Sequence, residues 1–278
     1  MQTGFRFRGI HTDELELAVR TKSRPVLPEQ KERTQESNSI DGVMDFSAAG
    51  GQEHPYYHER MFQSELLVTA EDIHDLQQRI GVVAAWLMGS GELIYDDMPY
   101  IVWHAKVVSG VDFAPQIYGL QAVLSVSFRV YTWSESSYDT EQLCNITLDE
   151  GITLDSNIPI GIDEFLSFHL VAGKNIVTVC NFGDVYVKPI LRFTGQSENL
   201  TVQCGCDMLS YHQAFSSLDI DCDTQIAAEN STTHMEYVSG TFPELQPGDN
   251  TMTITVTGAV ELFVLYTPQF IYHNTIIK

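Results

Sequence analysis

The residues that could do chemistry are few and do not converge. Asp96-Asp97 is a carboxylate pair of the kind used in acid–base hydrolysis, but adjacent strand residues point to opposite faces. A turn at the following Met98-Pro99 would instead make the pair a structural cap. Cys204-Gly-Cys206 with His212 offers zinc-type donors, yet zinc pairs are spaced Cys-x2-4-Cys and no second pair is present. His54 and His58 lie four apart, but Pro55 and the tyrosines between them favour extended chain, and no third ligand is evident. Asp219-Ile-Asp221-Cys-Asp223 opens like a calcium loop. The EF-hand needs Gly at its sixth position and Glu at its twelfth, where this chain has Thr224 and Asn230, so an acidic strand face fits better. Trp86, Trp103 and Trp133 could stack on sugars, yet each sits in or beside an amphipathic pattern and reads as core. No Gly-x-Ser-x-Gly elbow, phosphate-cradling Gly loop or His-Glu-x-x-His helix is found. No catalytic, metal or cofactor residue is therefore assigned, and the chain is expected to work through its surfaces.

The elements that would carry those surfaces are mostly strands. In Leu124-Ser-Val126-Ser-Phe128-Arg-Val130-Tyr the apolar side chains alternate with polar ones, the period of a half-buried strand. Thr251 to Thr257 repeats the pattern with Met252, Ile254 and Val256 inward. Further strands are predicted over Phe5 to Ile10, Ile94 to Lys106, Ile176 to Cys180, Val185 to Phe193 and Val260 to Tyr266. Gly195 and Pro247-Gly248-Asp249-Asn250 mark turns. One long helix is predicted, with Thr69 as N-cap and Asp72 at the third position. Its stripe is Ile73, Leu76, Ile80, Val83 and Leu87, and Gly89-Ser-Gly91 ends it. A second, shorter helix is predicted over Asp163 to Phe168.

At 278 residues the chain is long enough for two domains at about 150 residues each. Apolar residues at 44% and charged ones at 19% give it enough apolar side chains for real cores. A formal charge of −22 repels phosphate backbones and disfavours a specific nucleic-acid binder. No apolar run approaches the roughly 20 residues of a membrane span, and the N-terminal stretch has no apolar signal-type region. Five irregularly spaced cysteines are expected to be buried thiols. The Asn-x-Thr triplets at Asn145, Asn199 and Asn230 read as chance. Seven of the fifteen basic residues fall within the first 33 positions. The polar stretch Ser134 to Gln142, with strand patterns on both sides, sets the boundary: a first domain over 1–133, a linker over 134–143 and a second domain over 144–278.

Whole motifs in a fixed order add a family. The first half carries Phe5-Arg-Phe7-Arg-Gly9-Ile10, Ile40-Asp-Gly42-Val-Met-Asp45-Phe46-Ser, Tyr56-Tyr57-His-Glu-Arg60, a helix ending near Trp86-Leu87, and Tyr95-Asp96-Asp97-Met-Pro99-Tyr100. The second half carries Asn181-Phe-Gly183-Asp184 with Pro189 and Gly195, and Gly240-Thr-Phe242-Pro243-Glu-Leu245-Gln-Pro247-Gly248-Asp-Asn250. In this order the chain resembles the distal tail proteins of siphophages, the Dit or phage tail component family. Its ending, Pro268-Gln-Phe270-Ile-Tyr272, departs from the Trp-Arg-Trp-like close more usual there.

The resemblance implies a mainly β protein. Its N-terminal β-sandwich or barrel-like domain, with one long helix, builds a ring, and a galectin-like β-sandwich follows. It implies a structural role rather than an enzyme: a ring of six copies at the virion tail tip that joins the tail tube protein to the tail-tip hub or tail-associated protein and holds receptor-binding proteins. Assembly would take place in the bacterial host cytoplasm. DNA would pass through such a ring without specific binding, and the acidic balance suits that passage. The alternative function is a lectin-like tail-tip adhesin, although the second domain has one arginine, Arg192, and no tryptophan. The stretch Arg20 to Asn38 is polar, mixed in charge and broken by prolines, so it cannot build a core of its own and reads as an arm for a neighbouring subunit. Arg24, Pro25, Pro28, Lys31, Arg33, Asp41 and Gly42 are the expected interface residues.

Overall fold

The computed structural model describes residues 4–36, 41–47, 56–108, 112–115, 120–145 and 166–271. The chain divides into two compact units, Met1–Ser134 and Glu135–Lys278. It is mainly β, with several sheets and two α-helices among the described residues.

The first unit contains β1 (Phe5–Phe7), β2 (Ile10–His11), β3 (Ala18–Ser23), β4 (Thr34–Glu36), β5 (Val43–Asp45), β6 (Arg60–Thr69), α1 (Ile73–Leu87), β7 (Ser90–Tyr95), β8 (Ile101–Val107), β9 (Asp112–Pro115) and β10 (Gln121–Val130). The sheet runs β2-β1-β7-β8-β10-β6-β3, with β9 also on β10 and β4–β5 apart as a separate hairpin. Strict alternation explains the centre: β6 buries Phe62, Leu66 and Val68, and β10 buries Leu124, Val126, Phe128 and Val130. The register sets Phe128 opposite Phe62 and Leu124 opposite Leu66, so the two inward faces pack as cross-strand pairs.

α1 adds Leu76, Val83, Trp86 and Leu87 to this core. Trp86 stacks on Phe5 with ring centroids 5.9 Å apart, and its Nε1–H donates to the Phe7 carbonyl at 2.9 Å. The helix begins later than predicted. Asp72 is the N-cap, accepting from the Asp75 N–H at 2.8 Å, because Thr69 is held in β6 opposite Gln121. Ile73 consequently stays 65% exposed rather than joining the stripe.

Two predicted strands are hairpins instead. Arg8 and Gly9 take left-handed φ of 52° and 82°, the two central residues of a tight turn, and split Phe5 to Ile10 into β1 and β2. The span Ile94 to Lys106 is interrupted by turn residues between β7 and β8.

The second unit contains β11 (Ser134–Ser136, which begins at the boundary residue), α2 (Thr140–Asn145), β12 (Ser167–Leu170), β13 (Gly173–Asn181), β14 (Ile190–Ser197), β15 (Leu200–Cys204), β16 (Asp207–Tyr211), β17 (Phe215–Asp221), β18 (Ile226–Glu229), β19 (Thr232–Thr233), β20 (Val238–Gly240), β21 (Gly248–Val256), β22 (Val260–Leu265) and β23 (Gln269–Phe270). One sheet runs β12-β22-β14-β17-β18-β19 and the other β13-β21-β15-β16-β20. Both feed one apolar core: Leu191, Phe193, Leu218 and Leu262 come from the first, and Val202, Leu209, Met252 and Ile254 from the second.

The stretch read as a linker holds β11 and the start of α2. Asp139 caps α2, accepting from Gln142 N–H at 2.8 Å, and Leu143 is fully buried. The second predicted helix is corrected: Ser167 and Phe168 lie in β12, while 163–165 fall outside the described residues. Gly195 makes no turn. It sits inside β14 at φ 132°, where an added Cβ would lie 2.5 Å from the Ala259 carbonyl oxygen, beside the register shift between Thr194 and Ser197.

Candidate interface

The arm predicted over Arg20 to Asn38 begins as β3 on the sheet edge, then leaves it. Its root is held by two arginines. Arg24 forks onto Asp97 with N–O distances of 2.9 and 2.5 Å, and its guanidinium lies 4.6 Å from the Tyr95 ring centroid. Arg60, only 3% exposed, donates from Nη1 to the Val26 carbonyl at 2.6 Å and from Nη2 to the Thr132 carbonyl at 2.7 Å, over the Trp103 ring. Backbone bonds Lys31 N–H to Tyr56 O and His58 N–H to Glu29 O, both 2.7 Å, continue the attachment. Burial, the main influence, raises the Tyr95 hydroxyl pKa to about 12, against the opposing pull of Ser64 and Arg24.

Beyond the root the chain makes the β4–β5 hairpin, with Gln35 opposite Met44 and Glu36 opposite Val43. Val26, Leu27, Val43, Met44 and Phe46 are all exposed. A hairpin of two short strands gains little alone, and this one turns apolar side chains to solvent.

The predicted interface residues are not equivalent. Pro25, Lys31, Arg33, Asp41 and Gly42 are exposed, and Gly42 takes a left-handed φ of 95°. Pro28 is buried, and Arg24 is spent on Asp97 and Tyr95. The exposed apolar residues of the arm, which the sequence reading passed over, share its accessible surface with the exposed polar ones. Their signal was present as Val43-Met44 and Phe46 in a segment of otherwise polar chain.

The other chemical candidates are dispersed over separate partners. Asp96 accepts from His11 Nε2 at 2.9 Å while Asp97 faces Arg24, so the pair diverges onto separate partners. Asp219 pairs with Arg192, and Asp221 accepts from the Asp223 and Thr224 N–H groups. Burial pushes the Asp221 carboxyl up, but those bonds outweigh it and hold it below the usual range. Cys204 is buried, Cys206 is exposed at the β15–β16 turn, and His212 bonds Ser239. His54 lies outside the described residues, and His58 is exposed. Among the described residues, no group of three or more His, Cys, Asp or Glu is placed to hold a metal.

In the second unit the two family-like segments meet in one buried node. Asn181, 2% exposed, donates from Nδ2 to the Val185 and Leu245 carbonyls and accepts at Oδ1 from the Gly183 N–H at 2.9 Å. The Tyr266 hydroxyl donates to the Cys180 carbonyl at 2.7 Å and accepts from Phe182 N–H, and burial raises its pKa. Asn250 closes the other segment, bonding both the N–H and the carbonyl of Gln246. Gly183 is needed for approach: an added Cβ would sit 2.4 Å from the Gln269 carbonyl oxygen. Asp184 holds β23 through its N–H to Gln269 O and its carboxylate from Ile271 N–H. An open groove of about 560 Å³ lies elsewhere in this unit, edged by Glu198, Phe215, Glu229 and Thr257. Phe215 is 4% exposed there and offers no open ring face for sugar stacking.

Comparison with known proteins gives the same grouping. Residues 11–130 match the family described as phage tail protein RIFT-related domain, and residues 182–270 match the siphovirus-type tail component, C-terminal domain. No curated protein matches the chain. Among solved structures, the fold is similar to the Dit protein of phage SPP1, described as a paradigm of the hub adsorption apparatus in phages infecting Gram-positive hosts. The TM-score is 0.67 at 13% identity, covering 96% of this chain and 99% of that one. The baseplate of phage P2 in its activated, calcium-bound conformation also matches, with TM-score 0.38 at 9% identity over 95% of this chain and 98% of that one.

Proposed function

The chain belongs to the siphophage distal tail protein family, structural components of the phage tail, and we propose that it builds a ring at the tail tip. Six copies close the ring, which joins the tail tube protein to the tail-tip hub and holds receptor-binding proteins. Assembly takes place in the host cytoplasm, and no bond is made or broken by the protein. In this reading 1–133 is the ring-forming domain, 134–143 the connection and 144–278 a galectin-like domain carried by the ring.

The observation that carries the reading is the arm: two arginines fix its root, and its hairpin presents apolar side chains to solvent. A patch that leaves one side of a subunit and fits a different patch on the next makes a heterologous contact, which closes into a ring when the rotation per copy divides a full turn. The acidic balance lets DNA traverse the ring without sticking. A positive potential along the bore would contradict that part.

Native mass spectrometry and negative-stain microscopy of the purified chain test the assembly. Six-membered rings are the expected result, and a monomer at every concentration refutes it. Deleting Arg24 to Ser37 should leave a folded monomer by light scattering, and an intact ring from that variant would exclude the arm.

A further inference from the structure

The outer face of α1 has an unusual composition for this chain. From Leu76 to Gly91 the only charged residue is Arg79, and it is paired at the surface, with Nη1 2.6 Å from Glu16 and Nε 3.1 Å from Asp75 one turn back along the helix. The exposed arc is Gln77, Gln78, Gly81, Val82, Ala85 and Met88. Val82 is 52% exposed and Met88 72%. An ordinary solvent face of a helix carries charge, and this protein has 37 acidic residues to place there. Among the described residues of the first unit, the arm and this helix face are two places where exposed large apolar side chains gather.

Neither patch covers the other within one chain, since both are exposed at once. Copies at −22 each repel one another, so contact between them needs surfaces from which acidic charge has been removed. The arm from Arg20 to Asp45 has five basic and five acidic residues, and the helix face has none. Small Gly81 and Ala85 leave shallow ground beside Val82 and Met88 for the side chains of Met44 and Phe46. We infer that the uncharged face of α1 is the seat for the β4–β5 hairpin of a second copy. This rests on the ring reading above and adds the receiving surface.

The test uses the full chain. Val82→Glu with Ala85→Glu puts two charges on the seat with little change in intrinsic helix propensity, although the like pair near the helix C-terminus lowers stability slightly, and Met44→Glu charges the incoming hairpin. Assembly is read by sedimentation and native mass spectrometry, and folding by thermal unfolding. Each change should weaken association at least tenfold, about 1.4 kcal/mol, with cooperative unfolding retained and the midpoint lowered only slightly in the helix variant. Met44→Lys combined with Ala85→Glu should recover part of the loss. Should the double helix variant fail to fold, Met44→Cys with Ala85→Cys in a Cys206→Ser background replaces it, and a bismaleimide should then join copies into a ladder on denaturing gels. Normal assembly of the helix variant beside a Met44→Glu variant that falls apart overturns the seat but leaves the arm. Normal assembly of both overturns the arm as well. Absence of a ladder from the folded cysteine variant also overturns the seat.

Discussion

The described parts of the arm, 24–36 and 41–47, and the paired segments 181–189 and 240–250 both contain much irregular chain, yet they are stabilised in opposite ways. The second pair is satisfied from within: Asn181, Asn250 and Tyr266 take up backbone groups that no strand partner reaches, and Leu245 and Val187 bridge the two segments. The arm is tied to the rest of its unit at its root and by backbone bonds at Glu29 and Lys31, and its hairpin leaves Val43, Met44 and Phe46 in solvent. Buried polar partners make a segment specify its own conformation, whereas exposed apolar ones make it depend on a neighbour.

The contrast can be broken most severely at Asn181. Asn181→Leu removes the bonds to the Val185 carbonyl and the Gly183 N–H and adds bulk to a filled site, while the Leu245 carbonyl keeps the Val187 N–H, and should cost about 3 kcal/mol in denaturant unfolding. Alkaline pH comes next. Burial holds the Cys222 thiol protonated to about 12 against 9.0 unperturbed, so above pH 9 the unfolded state binds fewer protons and stability falls by about 1.4 kcal/mol per pH unit. In the first unit Tyr95 acts alike only from 10.0 to about 12. Thermal unfolding between pH 8 and 11 should therefore weaken the second unit about one pH unit before the first, and a common onset would contradict this.

Arg24→Ala is milder. Loss of the fork to Asp97 and of the contact with Tyr95 should cost about 1 kcal/mol, while hydrogen exchange across 25–36 accelerates. Met44→Ser is the smallest in stability, within about 0.5 kcal/mol, although assembly suffers. An unfolding midpoint that drops with Met44→Ser would show the arm to be part of the monomer's own fold.

Sequence reading reaches elements whose pattern is clean and loses those that need a distant partner. β10 alternates without exception and β21 does so from Asn250 onward, with Met252, Ile254 and Val256 inward as expected. β6 alternates equally in the structure but places Arg60 and Ser64 inward, which disguises it; Arg60 is tolerable there only because Trp103 and two carbonyls receive it. The N-cap error arose because Thr69 and Asp72 are both good caps, and pairing with Gln121 decides between them. At the candidate interface, charge and proline drew the eye to Arg24 and Pro28, which face their own chain. Which cations are already engaged depends on Asp97, over seventy residues away, and no local pattern reports it.

Arg60 has a mechanical consequence. One side chain grips Val26, where the arm departs, and Thr132, close to the end of the first unit. One stiff guanidinium plane thus couples the arm's point of departure directly to the end of the unit, beside the longer routes through the Arg24–Asp97 fork and the β3–β6 pairing. Lysine, a flexible point charge, would let the same two strings go slack.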